Sequence, residues 1–491
     1  MTKQPIEQTT GSRRAFLQQN AMGIGAVALA WLMKQEQAAG APDETKIKNG
    51  PLNLKPKAPP QPATANAMIS LFMHGGPSHM DLLDPKPELA KRSGEEYAGD
   101  IKYSFVNRAS KQLLGSPWSF AQYGESGTAV SELLPHLSRI VDDICVIRSM
   151  HTGHNGHEVS IRYWHGGLPA VLGRPTLGAW LTYALGTENQ SLPAYMVLTD
   201  PAGHPVDGVH NWTNGWMPPL FQGTVLRPRE PRILNLEPTA ELQGELQVQQ
   251  LDLLRQLNED HAQRYPHEAD LEARIANYEL AARMQVEAKE ALDISQESAA
   301  THRLYGIDQP ETRDYGTRCL IARRLVERGV RFVQLFLGNQ PWDNHSDIRS
   351  SLPAICRRTD QPAAALVTDL KQRGLLDTTL VHWGGEIGRL PVTENHGDPK
   401  KVGRDHNGQG FSCWMAGGGV KGGMTYGATD EFGHRAVENL VTPNDYQATV
   451  MRLFGLDHDG LHFLHNGQPQ TLTAGRQCRI IDEILHQPAR G

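Results

Sequence analysis

Asp343-Asn344-His345 places an acid and an imidazole two residues apart. In an extended segment such a pair projects to one side. One carboxylate oxygen and one imidazole nitrogen together suit Zn²⁺, Mn²⁺ or Fe²⁺, although the same residues could form an Asx turn with a solvated histidine. Arg404-Asp405-His406 repeats the pairing just ahead of an apolar run. Glu386 lies among glycines in Gly384-Gly385-Glu386-Ile387-Gly388-Arg389. It reads as a ligand or a general base in an open loop. Arg389 beside it offers a fork for an anionic group, unless the two make a surface ion pair. His74-Gly75-Gly76-Pro77-Ser78-His79-Met80-Asp81 sets more ligand types on a bent loop. His151-Thr152-Gly153-His154-Asn155-Gly156-His157-Glu158 is denser still, and histidines so spaced cannot all be core residues. Some would support ligands from outside the first sphere. Thr152 is the only hydroxyl of that loop and the obvious nucleophile candidate. The metal candidates are therefore Asp343, His345, His406, His74, Glu386 and Asp405. The catalytic candidates are Glu386, Arg389, Thr152 and His154.

Apolar runs lead into each of these groups. Ala67 to Met73 ends at His74, and Ile144 to Ile147 leads to His151. Val330 to Leu337 leads to Asp343, and Thr379 to Trp383 leads to Glu386. Runs of this length and composition read as buried strands. In open α/β sheets, ligands bind outside the carboxyl ends of strands, so one sheet edge would collect the ligands. Further strands are expected at 194–198 and 411–416, and helices at 131–141, 176–185, 314–328, 361–373 and 443–453. The alternation predicts an α/β fold of three α/β/α layers on a mostly parallel sheet. Residues from about 238 to 300 are Gly-poor and rich in Glu, Gln, Leu and Ala. They read as a helical insertion, a hairpin broken near Pro266, serving as scaffold, oligomer contact or lid.

A net charge of −6 and a pI near 6.4 argue against nucleic-acid or anionic-membrane partners. The five cysteines form no CxxC pair, and no disulfide framework or zinc finger is expected. Ser12-Arg13-Arg14-Ala15-Phe16-Leu17, followed by a modest apolar stretch to Met33, matches a twin-arginine export signal. That stretch is shorter than the roughly 20 residues a membrane span needs. The expected organisation is a signal peptide at 1–41, a Pro-rich linker or extended arm at 42–66, and one domain at 67–491. The expected location is the periplasm or another exported compartment.

The motifs HGGPSHMD, WDNHSD, GGEIGR and RDHNGQGFSCWMAGGG in combination resemble the domain-of-unknown-function 1501 family of exported proteins. The segment Leu370 to Gly388 also resembles the sulfatase and alkaline-phosphatase superfamily. The resemblance implies an alkaline-phosphatase-like fold over about residues 67 to 475. It carries one metal site onto Asp343, His345 and His406. A second site would begin at His74 and Glu386 and then meet Ile387, which binds no metal. The superfamily nucleophile would fall near Asn155 or Gly156, and no Cys or Ser stands there for a formylglycine. The expectation is a metal-dependent hydrolase of phosphate or sulfate esters, small-molecule or saccharide, with metal-activated water as nucleophile. Zinc is the first choice of divalent metal, with manganese, calcium or iron as alternatives. The rival readings are a non-catalytic metal- or ligand-binding exported protein and a two-His-one-carboxylate iron site.

Overall fold

Along Ala67–Phe72 successive side chains enter two different cores. Ile69 and Leu71 belong to one apolar cluster, Met68 and Phe72 to another, and every residue of the strand is buried. A strand covered on both faces reads as an unbroken apolar run, which is why periodicity alone showed no alternation here. The computed structural model of the chain describes residues 52–104, 110–237, 244–265, 269–394 and 401–486. The expected signal peptide lies outside the described residues.

The central sheet has eight strands: β1 (Ala67–Phe72), β2 (Ile144–Met150), β3 (Tyr195–Leu198), β4 (Thr224–Leu226), β5 (Phe332–Phe336), β6 (Thr379–Gly384), β7 (Phe411–Ala416) and β8 (Met424–Tyr426). Their spatial order is β8-β2-β7-β6-β1-β5-β3-β4. All pairs are parallel except those of β7, which runs against both β2 and β6. The register sets Ser70 beside Gln334 on one side and His382 on the other.

Helices α1 (His157–Gly166) and α2 (Leu177–Leu185) contribute to one core, and so does α7 (Pro443–Leu453). The opposite core takes α5 (Arg313–Glu327) and α6 (Ile348–Gln372). The protein is thus a mixed α/β fold in three layers. The helix expected at 131–141 is instead two short 3₁₀ turns, Leu137–Arg139 and Val141–Asp143. Pro135 removes a donor from the middle of that segment. Helix α6 begins well before the expected 361, with Pro353 and Pro362 inside it.

The insertion contains α3 (Glu245–Arg264) and α4 (Ala269–Leu292). Leu280, Met284, Ala288 and Ala291 of α4 are buried in the main core. By contrast Leu246, Leu253, Leu254 and Leu257 of α3 remain exposed. The Pro-rich segment ahead of β1 is docked: Lys57 N–H donates to Leu185, and Thr64 and Ala65 N–H groups donate to Leu453. Among the described residues no helix is long and apolar enough to cross a membrane.

Candidate metal centre

The parallel strands β1, β2, β5 and β6 all end at one edge, and the antiparallel strand β7 begins there. Residues that follow the first four and residues that precede the fifth therefore meet. Three imidazoles and one carboxylate lie at the meeting point. Asp343 Oδ1 is 3.0 Å from His345 Nε2 and 3.0 Å from His406 Nε2. His157 Nε2 is 3.4 Å from Asp343 Oδ2, and the two nitrogens of His345 and His406 are 2.8 Å apart. Asp343 and His345 keep 19% and 15% of their side chains exposed, so the cluster opens to solvent.

The other nitrogen of each ring faces an acceptor. His157 Nδ1 lies 2.6 Å from Glu386 Oε1, His345 Nδ1 lies 2.5 Å from Glu394 Oε2, and His406 Nδ1 lies 2.7 Å from the Asn155 carbonyl oxygen. Acceptors at Nδ1 orient the three rings so that their Nε2 atoms face Asp343, the arrangement by which outer partners position metal-binding histidines. His157, Asp343 and His406 form one group able to hold a metal ion, and His345, Asp405 and His406 form an overlapping one.

Electrostatics reinforce the grouping. Burial opposes the charge on Asp343, but the Arg389 guanidinium and the hydrogen bonds from His157, His345 and His406 hold its carboxyl far below the usual range. Burial likewise disfavours charge on His157, yet hydrogen bonds to Asp343 and Glu386 raise its pKa to about 9. Burial lowers the pKa of His406 despite Asp343, with Arg389 adding to the effect. The result is a desolvated cluster of opposite charges gathered on Asp343.

The backbone allows this approach at particular glycines. Gly75 has φ +113°, and a Cβ there would lie 2.7 Å from the Asp343 nitrogen. With no side chain, Gly75 donates its N–H to Glu386 at 3.1 Å. A Cβ on Gly403 would collide with the His345 carbonyl.

The structure brings Asp343, His345 and His406 together, with Asp405 in the overlapping group, and places the remaining candidates differently. Glu386 is fully buried rather than in an open loop, and its carboxylate supports His157 and the Gly75 N–H. Arg389 is fully buried too. It donates to the carbonyls of Gly75, Gly76 and Arg404 and to Asp343 at 2.5 Å, so its fork serves the protein rather than an anion. Arg148, the other basic residue near this edge, donates to the Leu83 carbonyl at 2.8 Å. His74 stands apart: its ring centre is 6.1 Å from that of His157, and its Nε2 takes the Val206 N–H at 3.4 Å. Asp405 accepts the N–H of Ser104 at 2.7 Å and of His406 at 2.7 Å. Thr152 is buried and donates to the His154 carbonyl at 3.2 Å. His154 is half-buried and outside both metal-type groups. His79 and Asp81 serve the fold, the first against the Gly433 carbonyl at 2.7 Å and the second in a buried ion pair with Arg404 at 2.8 Å.

Sequence reasoning missed three participants. The spacing of His157 from His154 carried the signal for the first, but not the choice between them. Glu394 and the Asn155 carbonyl carried none, since neither stands in a ligand-like motif.

No curated protein matches the chain. Among solved structures it is similar to the PsFucS1 sulfatase from Pseudoalteromonas sp., at 13% identity and TM-score 0.30, over 66% of this chain and 62% of that one. It is similar to the phosphonate monoester hydrolase SpPMH from Silicibacter pomeroyi, at 11% identity and TM-score 0.35, over 73% of each chain. It is also similar to an alkaline phosphatase from the Antarctic bacterium TAB5, at 11% identity and TM-score 0.31, over 76% of this chain and 97% of that one. The likeness is remote in each case. Over residues 65–485 the sequence matches the family described as proteins of unknown function, DUF1501, and the chain belongs to that family.

Proposed function

We propose that the chain is a metal-dependent hydrolase of phosphate or sulfate esters, exported by the twin-arginine route to act outside the cytoplasm. One observation carries the reading. The Nε2 atoms of His157, His345 and His406 gather on Asp343, while Glu394, Glu386 and Asn155 occupy every opposite Nδ1. A row of hydrogen-bonded surface histidines has no need of such backing. Three imidazoles and a carboxylate suit zinc or another transition metal better than calcium, which prefers oxygen ligands.

A divalent metal held by these four residues would supply Lewis acidity, polarising an ester oxygen and acidifying water. The remaining roles belong to the chain. Asp343, kept ionised by Arg389, supplies the negative charge of the site. Glu394 and Glu386 hold His345 and His157 in their rings' working orientation. The exposed edges of Asp343 and His345 leave the approach open to a small or saccharide ester.

One observation favours a second reading, a non-catalytic metal-binding protein. The Thr152 hydroxyl is committed to the His154 carbonyl, and Asn155 and Gly156 offer no nucleophile. Two measurements separate the readings: metal content of the exported protein, and turnover of aryl sulfates and phosphates. Bound metal with turnover that vanishes in Asp343→Ala supports the hydrolase. Bound metal without turnover of any ester leaves the binding protein, and protein without metal overturns both.

A further inference from the structure

Helix α3 is almost bare. Of its described side chains only Gln247 and Asn258 are half-buried, and every other one is exposed. Gln247 donates to Gln285 Oε1 of α4 at 2.7 Å, so the side bearing Gln247 is the one turned towards the protein. At about 100° per residue, Leu246, Leu253 and Leu257 fall on one line, about 110° round the helix from that side. They are 51%, 56% and 55% exposed. A helix of this length draws most of its stability in water from packing an apolar face, which α3 scarcely does within one chain. Single exposed leucines are ordinary on a protein surface. A line of them on a helix with nothing packed over it marks a contact face.

The chemistry of the helix narrows what covers that face. Glu245, Asp252, Glu259 and Asp260 outnumber Arg255 and Arg264, whereas helices that lie on a lipid surface carry Lys and Arg on their polar side. A second copy of the chain fits better. A two-fold axis sets the same patch on both partners, so the patch must complement itself. The line of leucines continues through Gln250, Asp260 and Arg264. In a parallel pair Asp260 would meet its own copy, and so would Arg264. In an antiparallel pair centred on the level of Arg255, Leu253 meets Leu257, Gln250 meets Asp260, and Glu245 meets Arg264. Leucines then meet at the centre and opposite charges at both ends.

We propose that α3 is a self-association surface, on which a second copy of the chain lays its own α3 antiparallel, Leu253 against Leu257 and Glu245 against Arg264. A face one helix wide and about 30 Å long is small beside the roughly 800 Å² per partner of a standard interface. The dimer is therefore reversible, and its population follows concentration.

The test is sedimentation velocity of the full chain over a roughly hundredfold range of concentration. The wild type passes from monomer to dimer as concentration rises. L253E/L257E stays monomeric. Both leucines are exposed and glutamate is a good helix former, so the melting temperature of this variant at the dilute end matches the wild type. V248E places the same acid about 160° round the helix from Leu246 and keeps the dimer. E245R weakens the dimer by about 10-fold, the scale of two exposed ion pairs made repulsive, and R264E does the same. E245R/R264E exchanges the charges and recovers the dimer. A wild type that is monomeric at every concentration overturns the surface, whether α3 then meets phosphatidylglycerol vesicles, another protein or nothing. A dimer that survives L253E/L257E, an equal loss in V248E, or a charge exchange that recovers nothing overturns it too.

Discussion

Glu394→Gln is the sharpest perturbation of the cluster, because it removes one charge without touching a ligand. Glu394 lies 2.5 Å from His345 Nδ1, and only 2% of its side chain is exposed. Burial disfavours charge on His345, and the bonds to Asp343 and Glu394 reverse that, raising its pKa. A glutamine keeps the shape but not the charge, so the imidazole becomes a weaker donor to metal. Loss of such outer support typically costs 10- to 100-fold in metal affinity, about 1.4–2.7 kcal/mol. The assay is a competition titration against a chelator of known affinity, at fixed pH, with elemental analysis of the dialysed protein. Asp142→Asn is the control. Asp142 accepts the N–H groups of Glu125 and Ser126, each at 2.9 Å. It precedes β2, roughly 20 Å of strand away from the cluster edge. Its replacement leaves affinity unchanged. In His345→Ala, adding Glu394→Gln brings no further loss, because the two act through one ring. Affinity unchanged in Glu394→Gln, or equally lowered in Asp142→Asn, would refute the idea that the Nδ1 partners exist to serve the Nε2 atoms.

Other predictions follow from the same geometry. His157→Ala lowers bound metal well below one equivalent, whereas His74→Gln leaves most of it, since His74 stands outside the group; elemental analysis decides. Arg389→Ala destabilises the fold by about 3–5 kcal/mol in denaturant titration, the scale of leaving a buried charge partner alone, rather than acting only on substrate affinity. His165 and His382 are held neutral by burial, each with a pKa lowered to about 3. Because folding depresses these values, the stability they permit is complete above the unfolded-state pKa of roughly 6.5 and is lost as pH falls towards 3. Denaturation midpoints should therefore drop through that window, and His382→Phe should flatten part of the slope.

Much of this architecture was legible because the strands are apolar throughout. The run at 411–416 matches β7 residue for residue, and Thr442 with Asp445 caps α7 at the position where the helix was expected. Asp343, His345 and His406 were legible because each lies in the loop that leaves or enters such a run. What could not be read was side-chain depth. Glycines beside Glu386 suggested an open loop, yet here they admit other backbone close to a buried carboxylate. Arg389 suggested an anion site because a guanidinium reads the same in sequence whether it faces a ligand or a carbonyl. Glu394 was silent because it reaches His345 through a long-range contact that no local spacing encodes. In the insertion, leucines at helical spacing marked helices correctly but not which helix enters the core; α4 does and α3 does not.

The antiparallel strand β7 has a consequence for how this protein can vary. His406 is set by the start of a strand, whereas its companions are set by strand ends. The segment ahead of it is closed by paired backbone bonds between Glu394 and Gly403, at 2.8 and 3.2 Å. That clamp fixes Glu394 on one side and leads to His406 on the other. Both residues of the clamp thus border His345, Glu394 at its ring and Gly403 at its carbonyl. A change that opens the clamp would therefore loosen the acid behind one ring and the approach to the next together, like a hinge pin shared by two doors.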